Sequence, residues 1–528
     1  MRKFTVKRLA SLTLAVLMIS LLLSACSGNG GTNGTTGEAG NTGGTTDNKK
    51  ANTANKEPIE LTLFINHNWY PIKEFKGPIA DKITEKTGVK LKVTVATDEK
   101  QLPVMIASGD LPDMIFTATE IDRLSNSSLS YSWNELIAKH APDFKIDQTR
   151  IAVNTAEDGK FYTIRNAFAT QEEWDANKFA LGNDGNPGVG VRTDIMKELG
   201  NPPIKTLDDF VRVLEQVKSK YPDMVPLIMD KNWMEQYFKV QFGIDVGNDF
   251  YEQDGSLHLG LTHPKMLDYY KFMNSLYRKG LILAENFAFS NDQIDNQYAE
   301  SGKAFAHMHT VSISDGDNTK LEQQGKNFRF QQLPTALTPE AVIVNASIGW
   351  SGTFITKNNK HPKESIQLMK YLASEEGKQL TMFGIKGEHW DLSPEGYPKF
   401  KYNTTDGNFI NATGLKWWYL YSDAIVEGLR GYVPGTQTTE ALLQAKAITK
   451  VRPVLGLIQP LADSNERTIK TKIETMITTE KVKIFLSKSE EEAVQAYKNM
   501  LNIAKQIGLE KYEQWATQQY AEKKKLLK

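Results

Sequence analysis

Three short apolar stretches follow one another between residues 59 and 116: IELTLFI at 59–65, VKLKVTV at 89–95 and MIF at 114–116. The first two alternate in polarity, which predicts β-strands, and the third is short and wholly apolar, as in a buried strand. The segments between them carry apolar residues at helical spacing, and Gly88 ends the first of these helices. The order strand, helix, strand, helix, strand predicts an α/β fold with a mainly parallel sheet.

Polar residues follow two of these strands. Residues 66–69, Asn-His-Asn-Trp, come after the first strand, and residues 117–120, Thr-Ala-Thr-Glu, come after the third. Ligands of open α/β sheets bind beyond the carboxyl ends of the strands. We therefore expect Asn66, His67, Trp69 and Glu120 to line a ligand site.

The composition limits the possible functions. The 528 residues include 63 basic and 63 acidic side chains, with 40% hydrophobic and 10% aromatic residues, so a large buried core is possible. Removal of residues 1–25 takes away four basic residues and no acid, which leaves a net charge of −4. This weak negative charge argues against a nucleic-acid-binding protein, which would carry a concentrated basic surface.

The first 25 residues have the layout of a secretory signal. Arg2, Lys3, Lys7 and Arg8 precede an apolar run that ends in Leu-Ser-Ala before Cys26, the only cysteine. The run is too short for a stable transmembrane helix, which needs about 20 residues. Its end resembles the lipobox of bacterial lipoproteins, which implies that the Cys26 sulfur carries a lipid. Residues 26–57 would then form an acylated, Gly-, Thr- and Asn-rich tether without a core.

No familiar catalytic motif is present. The sequence has no phosphate-binding loop, no His-Glu-x-x-His zinc helix and no Gly-x-Ser-x-Gly elbow. His307 and His309 lie on one face of a predicted strand and could bind a metal ion, but no third ligand is close in sequence, so packing is the favoured interpretation. We expect no catalytic residue, no metal and no cofactor.

Aromatic residues in loops are the main binding signal. Five tryptophans lie beside Gly, Asn, Asp or His rather than in apolar stripes: Trp69, Trp174, Trp233, Trp350 and Trp390. Indole faces pack on the C–H faces of sugar rings, while polar side chains bond the hydroxyls, as a carbohydrate site requires. The alternative for each single tryptophan is packing in a core or between lobes. Residues 417–419, Trp-Trp-Tyr, form a further aromatic cluster.

Several short stretches, in order and spacing, resemble the bacterial extracellular solute-binding proteins of family 1, the sugar-binding lipoproteins of ABC importers, and more closely the large lipoproteins of Bacillus and Paenibacillus. They are SGDLPD at residues 108–113, DGKFY at 158–162, VRTDIMKELG at 191–200, LYRKGLI at 276–282, HPKE at 361–364 and GIKGEHW at 384–390. Arg165 stands where relatives often carry proline.

The resemblance implies a two-lobed, periplasmic-binding-protein-like (type II) α/β fold with a ligand cleft and a helix-rich C-terminal part. It implies a first lobe of residues 58–166 plus about 300–349, and a second lobe of residues 167–299 plus about 350–528. The lobes would close over a carbohydrate by a hinge motion and present it to ABC permease subunits. The expected contacts are Asn66, His67, Trp69, Glu120, Trp174, Trp233, Trp350, Glu388 and Trp390.

We therefore expect a monomeric receptor, anchored through acylated Cys26 to the outer face of a Gram-positive cell membrane, that captures an oligosaccharide. Two alternatives stay open. A secreted glycoside hydrolase or lyase would need two carboxylates placed across the scissile bond, and no pair is singled out by the sequence. A sensor subunit for a membrane kinase would keep the fold and change only the partner.

Overall fold

The computed structural model describes residues 57–98, 100–183, 185–230, 235–289, 293–461 and 463–527. Cys26, the predicted leader and most of the predicted tether lie outside these residues. Within the described part, no helix combines the length and apolar character needed to cross a membrane.

The strands of the described residues, numbered in chain order, are β1 Ile59–Ile65, β2 Val89–Val95, β3 Met114–Thr117, β4 Pro187–Arg192, β5 Val225–Met229, β6 Phe250–Gln253, β7 Ser256–Leu259, β8 Ala304–Thr310, β9 Phe330–Gln332, β10 Ile343–Asn345, β11 Gly352–Ile355, β12 Trp390–Leu392, β13 Pro398–Phe400 and β14 Thr449–Val451.

The α-helices are α1 Pro78–Thr87, α2 Gln101–Ser108, α3 Ile121–Leu124, α4 Trp133–His140, α5 Gln148–Asn154, α6 Gln171–Ala176, α7 Thr193–Glu198, α8 Leu207–Lys220, α9 Gln236–Gln241, α10 Met266–Arg278, α11 Ile294–Glu300, α12 Ile313–Gln323, α13 Pro362–Ala373, α14 Glu375–Phe383, α15 Gly407–Thr413, α16 Ala424–Arg430, α17 Gln437–Ala447, α18 Pro453–Gly456, α19 Asn465–Phe485, α20 Glu490–Ile507 and α21 Leu509–Lys523. Short 3₁₀ turns cover Gly260–Thr262, Ala284–Ala288 and Lys524–Leu527.

The first sheet has the strand order β11-β3-β1-β2. β1 pairs in parallel with both β2 and β3, which confirms the predicted β-α-β-α-β unit. Ile72, Phe75, Ile79 and Ile83 recur at helical spacing in the sequence, but the helix begins only after the first two of them. Gly77 has a φ of +95°, and a Cβ there would lie 3.0 Å from the Ala412 carbonyl oxygen. The chain therefore turns at this glycine, and α1 starts at Pro78, a residue favoured in the first turn.

The second sheet has the order β5-β8-β4-β9 and is mixed. β8 pairs in parallel with β5 and antiparallel with β4, so it lies inside this sheet. α8 packs on β5 of this sheet, and the side chains of Phe210 and Leu214 from α8 and of Met273 from α10 are fully buried in one core.

This pairing corrects the expected lobe boundaries. Residues 300–349 were expected in the first lobe, but β8 and β9 belong to the second sheet. Residues after 350 were expected in the second lobe, but β11 pairs antiparallel with β3, with Phe354 opposite Ile115. The first lobe has its core residues between Ile59 and Ile164 and between Ile355 and Leu429. The second lobe has them between Val189 and Leu337 and between Met476 and Leu501.

Three chain segments lie side by side where the chain passes between the lobes. β10 and β14 pair in parallel, with Ile343 opposite Thr449. The Asn166 N–H donates to the Ser351 carbonyl at 2.9 Å, and the Trp350 N–H donates to the Asn166 carbonyl at 2.9 Å. These bonds join the crossovers at the point where a hinge motion would act.

The C-terminal part is helical, as predicted. The Ser489 hydroxyl accepts the Glu492 N–H at the start of α20, and Gly508, with a φ of +122°, ends that helix. Ser489 and Glu492 have the sequence spacing of a capping box, but the Glu492 carboxylate accepts from the Lys488 N–H, one residue before the cap. α19, α20 and α21 enclose a further apolar core with β6 and β7.

Candidate functional site

Asn66 begins the loop that follows β1, and its side chain joins this loop to the end of β3. Its N–H donates to the Phe116 carbonyl at 2.9 Å. Its side-chain amide donates to the hydroxyls of Thr117 and Thr119 at 3.1 and 3.0 Å. The two strand-end loops therefore meet at one edge of the first sheet, as the parallel pairing requires.

His67 is buried among aromatic rings, with 7% of its surface exposed. Its ring lies 4.7 Å from the Trp350 ring, 5.1 Å from Trp69 and 5.4 Å from Phe116, between centroids. Its Nε2 is 2.8 Å from the Ser351 hydroxyl. Burial lowers the pKa of His67 to about 4, so the imidazole is neutral at pH 7.

Two indoles in contact with His67 reach the surface. Trp69 is 53% exposed and Trp350 is 36% exposed. Their ring centroids are 5.9 Å apart and their planes differ by 25°. Tyr419 stacks beside Trp350 at 6.4 Å, and Trp417 lies 6.4 Å from Trp69. We call His67, Trp69, Trp350, Trp417 and Tyr419 the aromatic platform.

The crossover segments that contain Asn166 and Ser351 hold the platform in place. Asn166 is fully buried, and its side chain accepts the Ser351 N–H at 3.1 Å and donates to the Tyr419 carbonyl at 3.3 Å. Gly349 has a φ of +97°, and a Cβ there would lie 2.6 Å from the Cβ of Arg165. Only glycine therefore fits directly before Trp350, so the position of the indole is set by the backbone.

Glu120 lies at the carboxyl end of β3, as expected, and has a left-handed backbone with φ of +58°. Its carboxylate pairs with Arg123 at 2.8 Å. Glu388 is an exposed side chain, and one of its carboxylate oxygens lies 3.5 Å from the Nε2 atom of His389.

The remaining predicted tryptophans have different positions. The expectation that Trp390 is a stacking residue is corrected, because its ring is 2% exposed in the first-lobe core and its indole N–H donates to the Gly384 carbonyl at 2.9 Å. Trp174 is also buried, and it packs with Ala169, Ala180 and Ile425. Trp233 lies outside the described residues.

Trp174 nevertheless lines a cavity of about 120 Å³ along the crossovers, together with Asn345 and Lys446. The Lys446 ammonium lies 5.7 Å from the centroid of the Trp174 ring and donates to the carbonyls of Asn177 and Ala180 at 2.5 and 3.1 Å. Burial lowers the pKa of Lys446.

A larger cavity of about 560 Å³ lies against the second lobe. It shares four lining residues with the smaller one, Asn183, Asn186, Ile343 and Val344, so the two spaces adjoin along β10. Its lysines are ion-paired: Lys239 contacts Glu235 at 2.9 Å, and Lys470 contacts Asp249 at 2.7 Å. Its volume is within the usual range for small-molecule sites, about 300–1,000 Å³.

Sequence reasoning did not place Trp417, Tyr419, Ser351 or Asn166 at the site. Trp417 and Tyr419 were visible as an aromatic cluster, but nothing in their spacing indicated which loop they approach. Asn166 and Ser351 gave no signal, since their role depends on two crossovers that meet across 185 residues of chain.

Comparisons with known proteins agree with this architecture. The family profile described as bacterial extracellular solute-binding protein matches residues 78–388, more than half of the chain. Lipoprotein LipO of Bacillus subtilis is 24% identical over 340 residues, which cover 60% of this chain and 64% of LipO. The fructooligosaccharide ABC transporter substrate-binding protein FusA of Streptococcus pneumoniae is 28% identical over 245 residues, 42% of this chain and 44% of FusA.

The chain therefore spans less than two thirds of the length of either of these relatives. Among solved structures, an HMO-binding, ABC-transporter-associated solute-binding protein from Bifidobacterium longum infantis aligns with a TM-score of 0.65 at 15% identity. The alignment covers 88% of this chain and 99% of that protein, which shows the two-lobed fold.

Proposed function

The chain belongs to the family of bacterial extracellular solute-binding proteins, and from this we propose that it captures an oligosaccharide between its lobes and delivers it to an ABC transporter permease. In this proposal the protein makes and breaks no covalent bond. The relative FusA is named as the substrate-binding protein of a fructooligosaccharide ABC transporter, which supports a carbohydrate ligand.

The observation that carries the proposal is the pair of exposed indoles, Trp69 and Trp350, 5.9 Å apart at the carboxyl end of the first sheet. Together they present a rigid apolar surface of the size of a sugar ring face, because each side chain has only two rotatable bonds and both are packed from behind. The nearby exposed hydroxyl of Thr119 and the partly exposed amide of Asn66 are uncharged groups of the kind that bond sugar hydroxyls.

The adjoining cavities support a ligand of more than one sugar unit. The crossover chain leads from Trp350 back to Asn345 and Val344, which line the cavities of about 120 and 560 Å³. A ligand on the aromatic platform would extend along this segment toward Trp174 and the second lobe. Closure of the lobes over it would then couple binding to a change of shape that a permease recognises.

We further propose that the protein works at the outer face of the membrane, attached through lipid on Cys26. The support is the apolar leader ending in Leu-Ser-Ala-Cys and the name of the relative LipO as a lipoprotein. Residues 27–57 contain no aromatic side chain, in keeping with the predicted tether.

Isothermal titration calorimetry tests the ligand class. The purified protein is titrated with fructooligosaccharides, milk-type oligosaccharides and plant glucans, and one class is expected to bind with a stoichiometry of one. Trp69→Ala should weaken that binding, whereas Trp515→Ala should not, since Trp515 stacks on Tyr512 in the C-terminal helices. Absence of binding to every glycan, or release of shorter products seen by chromatography, would overturn the proposal.

A further inference from the structure

Three potential metal-binding side chains converge at the edge of the second sheet. Asp230 directly follows β5, and His309 is near the end of β8. These two strands are parallel neighbours, with Met229 opposite Met308, so both side chains lie at the same edge. Asp295, in the first turn of α11, joins them, and one possible ligand atom from each of the three residues lies within 4.8 Å of the others.

One carboxylate oxygen in this cluster is left without a partner. The Asp295 side chain is fully buried. Its Oδ2 is 2.8 Å from the Nε2 of His307, while its Oδ1 has no hydrogen-bond partner among the described residues. A buried acceptor without a donor is costly and is rare in folded proteins. The oxygen is therefore placed where a cation would satisfy it.

The buried charges around His307 are unequal. Its two ring nitrogens lie 2.8 Å from Asp295 and Asp317, and all three side chains are buried. Even a fully protonated imidazole supplies only one positive charge for these two carboxylates. Buried carboxylates of like charge repel one another, and a bound cation offsets that repulsion.

We propose that Asp230, Asp295 and His309 bind a divalent transition-metal ion of the zinc class. Two carboxylate oxygens and one imidazole form a three-ligand set, with a fourth position left for water. Calcium is less suited, since it takes six to eight oxygen ligands. Ligand atoms about 2.0–2.2 Å from zinc lie roughly 3.3 Å apart, so metal binding would draw the three side chains slightly together.

The His309 ring has to change tautomer when the metal binds. The Thr310 N–H donates to its Nδ1 at 2.7 Å, which leaves the ring proton on Nε2, facing Asp230 at 3.7 Å. Coordination through Nε2 requires the proton on Nδ1, so the ring has to turn away from the Thr310 N–H, which is also a donor, and toward the Thr310 hydroxyl, 3.4 Å away, as the acceptor. The two histidines that the sequence pairs thus have different roles, and His307 orients Asp295 from behind.

Cobalt(II) is the probe of choice, because its visible absorption reports coordination directly. The purified full-length protein is stripped with EDTA and titrated with Co²⁺. We expect one ion per chain, a d–d band typical of four or five ligands, and loss of that band when Zn²⁺ is added. Both His309→Gln and Asp295→Asn should weaken Co²⁺ binding at least about tenfold.

His258→Gln is the matched control, since His258 also faces a carboxylate, Glu513 at 3.5 Å, but lies outside the cluster. It should leave Co²⁺ binding unchanged. His309→Gln is the deciding variant, because His309 is partly exposed and its substitution does not leave Asp295 without His307. Absence of stoichiometric Co²⁺ binding, or unchanged binding in His309→Gln, would refute the site. Sugar titrations play no part in this test, so its outcome is independent of the proposed function.

Discussion

The Trp350 ring stacks on His67, with centroids 4.7 Å apart and planes 25° from parallel. The two residues are far apart in sequence, since His67 follows β1 and Trp350 lies in the crossover segment between β10 and β11. The Ser351 hydroxyl adds a 2.8 Å contact to the Nε2 of His67. The stack therefore connects the first lobe to the crossover on which the proposed hinge motion depends.

We expect Trp350→Ala to reduce sugar affinity by about tenfold or more. An aromatic contact contributes about 0.5–1.5 kcal/mol beyond the area it buries, and 1.4 kcal/mol corresponds to a factor of ten. Calorimetry with the ligand identified in the glycan panel measures the loss. Trp350→Phe, which keeps a smaller ring, should lie between the wild type and the alanine variant.

The matched control is Trp390→Phe, in which the first-lobe core loses an indole but the platform is untouched. It should lower the melting temperature and leave affinity unchanged. If Trp390→Phe weakens binding as much as Trp350→Ala does, the platform is not the site.

His67 should make the stability of the protein depend on pH. Burial lowers its pKa in the folded state to about 4, below the 6.5 of an exposed histidine, so between these values the unfolded chain binds more protons. This contribution to the free energy of unfolding is complete above pH 6.5 and is lost as the pH falls toward 4. The largest slope from one such group is about 1.4 kcal/mol per pH unit.

Urea unfolding at pH 7.5, 6, 5 and 4.5 measures this dependence in the wild type and in His67→Gln. Glutamine keeps a polar group near Ser351 but does not titrate. The difference in unfolding free energy between the two proteins should therefore shrink as the pH falls below 6.5. A difference that stays constant over this range would show that His67 titrates normally in the folded protein.

Much of the first lobe could be predicted because its signals are local. The strands at 59–65, 89–95 and 114–117 and the meeting of their carboxyl ends depend on alternation, turns and parallel pairing, all visible in the sequence. These local signals were enough to predict that Asn66, His67 and Trp69 lie at one edge of the first sheet.

The lobe boundaries and the other tryptophans could not be predicted in the same way. The residues of β8 do not indicate which of the two sheets the strand joins. Its place in the second sheet follows only from its pairing with β4 and β5. Trp350 and Trp390 both lie near glycines in the sequence. Trp350 is nevertheless exposed on a crossover segment, whereas Trp390 is buried in the first-lobe core. Burial of this kind depends on contacts between distant segments.

Cys26→Ala should release the protein from the cell. The alanine variant has no sulfur to acylate, so after secretion we expect it in the culture medium rather than in the membrane fraction, as seen by immunoblotting. Ligand affinity should equal that of the wild type, because Cys26 is not one of the residues of the aromatic platform. Ser24→Ala serves as a control, since a small residue is kept before the retained cysteine. Membrane retention of Cys26→Ala would contradict the anchor.

Gly349→Ala should destabilise the crossover and weaken sugar binding together. The residue has a φ of +97°, and an added Cβ would lie 2.6 Å from Arg165 Cβ and 2.9 Å from the Asn166 carbonyl oxygen. Relief of this clash has to move Trp350, the next residue, off His67. We expect a loss of about 1–3 kcal/mol in unfolding free energy, typical of a strained backbone.

Gly316→Ala is the opposite case and the control for Gly349→Ala. Gly316 lies inside α12, and nothing stands within 4 Å of an added Cβ there. Alanine is favoured over glycine by about 0.5–1 kcal/mol in a helix interior, so this variant should be slightly more stable and bind sugar normally. Thermal unfolding and calorimetry on both variants separate a general effect of the methyl group from the specific role of Gly349. Unchanged affinity in a folded Gly349→Ala protein would mean that the position of Trp350 does not control binding.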